Sequence, residues 1–312
     1  MGVAIADDAS DVDQLIRSAD EAMYAAKRAG GNRVELYGDQ LREQHRQRRE
    51  IEDALCDAIG MGELALHYQP VVRPEDDSVV GFEALLRWRR PDGTNVAPAN
   101  FIPIAEETGL IIPIGDWIIR QACEQQRTWT RAGIGSAWIS INVSALQLRR
   151  DELRRSLLEA IEQTGADPSR LVVELTESAL IGSEDANSTL RDLRRLGVRV
   201  AIDDFGTGYS GLAYLRKLPV DIIKIDQSFV ADLVTDPAAP AVVVAVVQLA
   251  HALGLEVIAE GAESSAQVEI LVSLGCDLVQ GHFYAAATPP VESGAIARYG
   301  LALRNATVFE QV

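Results

Sequence analysis

The sequence predicts an α/β fold: a TIM-like (β/α)8 barrel with an antiparallel first strand pair. Three observations predict it. Eight short apolar runs have strand character, and helix-period segments separate most of them over about 250 residues, the size usual for such a barrel. The third is the link between the first two runs, Arg73-Pro74-Glu75-Asp76-Asp77-Ser78, which has room for a hairpin but not for a crossover helix.

The elements follow in order. Residues 11–33 form an amphipathic helix with Leu15, Ile16, Ala19, Ala22, Met23 and Ala26 on one face, and the Gly30-Gly31 pair stops it. A short strand at 34–37 follows. Residues 1–40 have too little material for a core of their own and read as the tail of a larger domain. Residues 41–60 form a charged connecting helix. Its Arg46, Arg48 and Arg49 are either a solvated face or part of a helix that transmits a signal between domains. The barrel domain spans 61–305. Its expected strands are 64–71, 80–88, 138–143, 171–176, 198–203, 222–225, 256–259 and 278–280. Its expected helices are 116–132, 151–164, 184–196, 240–253 and 265–274.

Composition narrows the function. The chain has 312 residues and a formal charge of −17, from 29 Lys and Arg against 46 Asp and Glu. That excess argues against a nucleic-acid polymer as partner, because such binding rests on basic side chains neutralising phosphates. A small phosphate ligand stays open, since bound cations invert the field of an acidic pocket. Cys56, Cys123 and Cys276 are read as reduced, mostly buried thiols of a cytoplasmic protein. The most apolar stretch, 238–259, is broken by Gln248, His251 and Glu256, so no membrane contact is expected of this chain, although a longer parent with an anchor fits equally well.

Active sites of such barrels lie at the C-terminal ends of the strands. Those ends read Gln69, Glu83, Asn142, Glu174, Asp203 with Asp204, Lys224 with Asp226, Glu260 and Gln280. Any one of these carboxylates could be a loop or cap residue; a full circle of such groups is a site. The donors are hard oxygens, suited to Mg²⁺ or Mn²⁺ rather than zinc, and are numerous enough for two ions. Paired metals serve phosphoryl displacement. Lys224 could hold the attacking water, neutralise developing charge, or pair with Asp226. The histidines His45, His67, His251 and His282 lack ligand spacing and read as structural.

The motifs Tyr68-Gln69-Pro70, Glu83-Ala84-Leu85-Leu86-Arg87-Trp88, Phe101-Ile102-Pro103-Ile104-Ala105-Glu106, Asn142-Val143-Ser144, Glu174-Leu175-Thr176-Glu177, Asp203-Asp204-Phe205-Gly206-Thr207-Gly208, Lys224-Ile225-Asp226, Ala259-Glu260-Gly261 and Gln280-Gly281 stand in one order. Over about residues 50–295 the chain resembles the EAL-domain family, whose active members are cyclic-di-GMP-specific phosphodiesterases. The resemblance implies hydrolysis to linear 5′-pGpG, with Glu83, Asn142, Glu174, Asp203, Asp204 and Glu260 binding or supporting two Mg²⁺ or Mn²⁺ ions and Ca²⁺ inhibitory. It implies catalytic roles for Lys224, Glu260, Asp204 and Glu177, the last holding a gating loop at 205–215. Gln69, Leu85, Arg87, Asp226 and Gln280 would contact the ligand, and the protein would be a homodimer. Residues 1–40, with GVAIA, AD-x-AMY-x-AK and GGNRV, resemble the C-terminal end of a GGDEF domain. Gly211, His67 and the run 282–289, which lacks a basic residue, depart from the family pattern. Two alternatives remain: a cyclic-di-GMP receptor that does not cut its ligand, and metal-assisted proton abstraction with Lys224 as base.

Overall fold

The structure is a computed structural model that describes residues 1–5, 11–28, 30–134, 137–148, 152–180, 186–206 and 215–301. Strand β1 (Gly2–Ala4) pairs in parallel with β2 (Glu35–Tyr37), and helix α1 (Val12–Arg28) packs on this ribbon so closely that a Cβ at Gly2 would lie 2.1 Å from the Ala19 carbonyl oxygen. Helix α2 (Asp39–Ala58) leads to the barrel. Arg49 pairs with Glu21 of α1 at 2.9 Å, and Leu55 and Ala58 reach the main core.

The barrel comprises β3 (Leu64–Arg73), β4 (Ser78–Arg89), β6 (Trp138–Asn142), β7 (Leu171–Thr176), β8 (Arg199–Phe205), β9 (Ile222–Ile225), β10 (Glu256–Ala259) and β11 (Leu278–Gln280), while the short β5 (Asn95–Val96) extends β4 outside the ring. Strands β4 and β6 to β11 run parallel; β3 closes the circle antiparallel to both β4 and β11. The hairpin expected from the short link is therefore present.

The enclosing helices are α3 (Pro98–Thr108), α4 (Ile111–Arg131), α5 (Glu152–Thr164), α6 (Glu177–Leu180), α7 (Ala186–Arg195), α8 (Gln227–Ala231), α9 (Ala239–Ala252), α10 (Ser265–Ser273) and α11 (Pro290–Tyr299). Four of these, α3, α6, α8 and α11, were not among the expected helices, and α3 carries Pro103 in its interior. The first residues of the expected helices at 151 and 184–185, segment 207–214 with Gly208 and Gly211, and 302–305 lie outside the described residues.

Strand alternation divides the core into two. Outward residues such as Phe82, Ala84, Leu86 and Trp88 of β4 are buried under the helices. Trp129 of α4, for example, packs against Tyr68 and Phe82 with ring centroids 5.0 and 4.9 Å apart. Inside the barrel, Val71, Trp138, Val172, Ala201, Ile222, Ile258 and Leu278 form a separate apolar ring, one residue from each of seven strands. The eighth strand contributes Gly81, where a Cβ would lie 2.2 Å from the Trp138 indole. Trp138 thus plugs the base of the barrel, and only glycine leaves room for it.

Candidate active site

Two residues nearer the mouth on each strand, the same parity brings Gln69, Glu83, Ser140, Glu174, Asp203, Lys224, Glu260 and Gln280 inward. A polar layer thus lies directly on an apolar one. The expected strand-end positions need one correction. Gln69 and Glu83 lie within their strands, since β3 is reversed and β4 continues to Arg89, yet pairing of Gln69 with Glu83 keeps both in the layer.

Lys224 is the centre of this layer. Its Nζ lies 2.6 Å from Glu174, 2.5 Å from Glu260, 3.2 Å from Asp203 and 3.4 Å from Glu83, with the lysine side chain 1% exposed. The expected Lys224–Asp226 pair is not among the ion pairs of the described residues. Asp226 caps α8 instead, accepting from the Ser228 backbone N–H at 3.0 Å and from its hydroxyl at 2.5 Å. The physical reason is reach: four inward carboxylates surround the ammonium, while Asp226 sits where the chain turns into a helix.

Amides orient the Glu83 carboxylate. Asn142 Nδ2 donates to Glu83 Oε1 at 2.7 Å, and Gln280 Nε2 donates to Oε2 at 2.7 Å and to Gln69 Oε1 at 3.2 Å. Gln69 in turn donates to the Ala285 carbonyl at 3.1 Å. Burial pushes the Glu83 carboxyl up, but Lys224, Gln280 and Asn142 outweigh it and hold the group below its ordinary value. The others are less well served. Burial, then Glu83 and Asp203, raise Glu174 well above its ordinary value despite Lys224. Burial, then Asp203 and Glu83, push Glu260 up to about 8. Burial, then Asp203 and Asp226, raise Asp204. For Lys224, burial opposes the charge, but Glu174, Glu260, Glu83 and Asp203 together raise it well above the usual lysine range.

Asp203 and Asp204 could not both face the site on a regular strand. The β8–β9 register shifts between Ile202 and Phe205, and Asp204 takes a left-handed backbone with φ 53°, a conformation Asp tolerates better than most residues. This irregularity brings carboxylate oxygens of Asp203, Asp204 and Glu260 within 4.8 Å of one another.

The donor set fits a divalent cation. If all four carboxylates were ionised around one ammonium, three negative charges would be left in a buried layer before Asp204 is added, and the raised values of Glu174 and Glu260 reflect that excess. Buried charge of that size is costly without cations. Asp203 Oδ1 and Gln280 Oε1 are also buried without a hydrogen bond, although Asp203 Oδ1 faces Lys224 at ion-pair distance.

Above the layer opens a cleft of about 220 Å³, lined by Gln69, Leu85, Glu83, Asp203, Glu260 and Gln280, and also by Gln227, Glu263 and His282. Sequence reasoning missed Gln227 and Glu263 and set His282 aside; their nearness in sequence to Asp226, Glu260 and Gln280 was the available signal. Ser140 was missed because a serine between isoleucines reads as strand filler. Arg87 lies two residues beyond Leu85, outside the cleft lining, partly buried and donating to the Leu86 carbonyl at 3.0 Å. Glu177, 4% exposed, accepts from the Gly206 backbone N–H at 3.2 Å; residues 207–214 of the expected loop lie outside the described residues. Cys123 and Cys276 are buried as expected, whereas Cys56 is exposed on α2.

Residues 52–287 match the family described as "EAL domain". The chain belongs to the EAL domain family. This EAL protein is 40% identical over 269 residues to the bifunctional diguanylate cyclase/cyclic di-GMP phosphodiesterase MucR of Pseudomonas aeruginosa, a match covering 86% of this chain and 39% of that protein. It is 37% identical over 283 residues to the cyclic di-GMP phosphodiesterase NbdA of the same organism, covering 90% of this chain and 36% of NbdA. The chain thus spans well under half the length of these curated relatives. Its fold matches the solved PaMucR phosphodiesterase–c-di-GMP complex with a TM-score of 0.75 at 40% identity, covering 78% of this chain and 99% of that one.

Proposed function

We propose that this EAL domain hydrolyses one phosphodiester bond of cyclic-di-GMP to linear 5′-pGpG, and so lowers a bacterial second messenger. The observation that carries the reading is Lys224 enclosed by Glu83, Glu174, Asp203 and Glu260 beside an open cleft. Glu83, Asn142, Glu174, Asp203, Asp204 and Glu260 are the residues to hold two Mg²⁺ or Mn²⁺ ions, which when bound acidify a water and offset phosphate charge.

The chain's own groups do the remaining work. The carboxylates fix the Lys224 ammonium, which orients the attacking water and offsets charge as it develops. Asn142 and Gln280 hold Glu83 in one orientation. Gln69, Leu85 and Gln280 bound the space for the ligand, Asp226, next in sequence to the lining residue Gln227, is a further ligand contact, and Arg87 offers a guanidinium for a phosphate. Glu177 anchors the backbone at Gly206, where the gating loop begins. Ca²⁺, held by the same carboxylates, would permit binding without supporting turnover.

Two wider proposals accompany this. Residues 1–40 are the end of a preceding GGDEF domain; exposed Ile16, Met23, Tyr24 and Leu36 on the β1–β2–α1 unit support it. The protein is a cytoplasmic bacterial homodimer; α9 presents an uncharged outer face with Ala241, Val242, Ala245 and Gln248 exposed, which supports self-association. No helix among the described residues is long and apolar enough to span a bilayer.

Calorimetry and nucleotide chromatography run side by side in EDTA, Ca²⁺ and Mg²⁺ test the reading. The expected pattern is no cleavage in EDTA, binding with little turnover in Ca²⁺, and pGpG in Mg²⁺. Tight binding without product in either Mg²⁺ or Mn²⁺ would assign the domain to the receptors.

A further inference from the structure

Two motifs of the chain have no role in the site as described: the α3 segment ending in Glu106-Glu107, and Ser144, two residues beyond Asn142. The structure joins them. Ser144 Oγ donates to Glu106 Oε1 at 2.6 Å, across two elements far apart in sequence. The Ser144 backbone N–H donates to Gln147 Oε1 at 3.0 Å, and the Gln147 N–H returns to the Ser144 carbonyl at 3.0 Å. Gln147 is 4% exposed and packed directly on α4, where a Cβ at Gly115 would lie 1.9 Å from its Nε2. The Val143 N–H donates to the Glu174 carbonyl at 2.9 Å, the last backbone contact before this knot.

We infer that Glu106 is a positioning residue for the metal site: through Ser144 it fixes the exit of β6 and thereby aims Asn142. The argument is mechanical. Asn142 is the last residue of β6 and reaches Glu83 Oε1 across 2.7 Å, so its amide direction depends on the backbone that follows it. That backbone is held on the α3 side by a carboxylate–hydroxyl bond, stronger than a bond between neutral groups. Glu107, next in sequence, does something different: it pairs with Arg48 of α2 on the outside of the barrel. Two consecutive glutamates on one helix therefore divide between the interior loop and the connecting helix. Removing the partner that orients a metal ligand lowers metal affinity by roughly 10- to 100-fold in other sites.

The inference rests on the metal-dependent reading above, and the test separates the two. Mn²⁺ binding to the whole chain is measured by calorimetry and electron paramagnetic resonance for wild type, Glu106→Ala, Glu106→Gln, Ser144→Ala, the Glu106→Ala/Ser144→Ala double variant and Glu107→Gln, each with a thermal melt. The expected result is Mn²⁺ affinity about tenfold weaker in Glu106→Ala and Ser144→Ala, with the double variant no worse than either single one. Glu106→Gln, which keeps an acceptor oxygen, recovers part of the affinity, and Glu107→Gln matches wild type. Wild type that binds no Mn²⁺ overturns the metal reading and this inference together. Wild type that binds while Glu106→Ala and Ser144→Ala bind equally well overturns the inference alone, as does a lower melting temperature without loss of affinity. Should Glu106→Ala fail to fold, Ser144→Ala and Glu106→Gln carry the same comparison.

Discussion

Lys224 donates to Glu174 across 2.6 Å in the middle of the barrel, with both side chains 1% exposed. A pair so fully removed from water is stable only if its surroundings are arranged for charge. Here they are arranged for more negative charge than one lysine supplies, because Glu83, Asp203 and Glu260 face the same ammonium.

Lys224→Ala removes the resident cation from the layer. In EDTA the variant should lose several kcal/mol of stability, about 3–5 by analogy with other broken buried pairs. Mn²⁺ should restore most of its melting temperature, while turnover stays roughly 10²- to 10⁴-fold below wild type because no group orients the water. A variant as active as wild type would remove Lys224 from the chemistry.

Stability without metal should depend on pH in a particular direction. Glu260, at about 8, and Glu174, well above its ordinary value, both titrate in the folded protein above their unfolded range. Between the unfolded and folded values the folded state binds more protons, so stability is highest at the acid side of that window and falls as pH rises through it. Melting curves in EDTA should therefore drop as pH rises from the ordinary carboxylate range through about 8, and Mn²⁺ or Glu260→Gln should flatten the slope. Curves with the opposite slope in EDTA would contradict the charge assignment.

The residues that failed to read correctly did so for distinct physical reasons. Strands β7, β9, β10 and β11 were legible to the residue because each is a short run, mostly apolar, that ends at a polar side chain (Thr176, Gln280) or one residue before one (Asp226, Glu260). Gln69 and Glu83 were placed in the right layer for a partly wrong reason. Alternation in a paired hairpin, rather than a strand end, turns them inward. The partners of Lys224 are 50 and 141 residues away for Glu174 and Glu83, so local spacing favoured Asp226 instead. The β8 irregularity that turns Asp204 toward the site is a register event, invisible in a run that reads as a regular strand. Helix α3 was hidden by Pro98 and Pro103, which in sequence look like breakers, although Pro98 sits in the first turn, where it is tolerated.

Gly81→Ala addresses the floor on which the polar layer stands. The new methyl would meet the Trp138 indole, so the ring must shift within the apolar layer. Destabilisation of about 1–3 kcal/mol is expected from overpacking, with an altered Trp138 near-ultraviolet signal. An unchanged melt and spectrum would show that Trp138 does not plug the barrel base.

Glu83→Ala deletes the carboxylate that Asn142, Gln280 and Lys224 all contact. Loss of one buried negative charge relieves repulsion on Glu174, so the fold should persist by circular dichroism. Activity should fall by roughly 10²-fold or more. Activity within threefold of wild type would be incompatible with a cation site built on this residue.

The most direct measurement is product analysis. Purified protein is incubated with cyclic-di-GMP in Mg²⁺, Mn²⁺ or EDTA, and nucleotides are separated by chromatography over time. Linear pGpG should accumulate with either metal and be absent with EDTA, and Lys224→Ala should form it far more slowly. Intact cyclic-di-GMP in Mg²⁺ and Mn²⁺ with the wild-type chain, or equal cleavage in EDTA, would contradict a metal-dependent phosphodiesterase centred on Lys224.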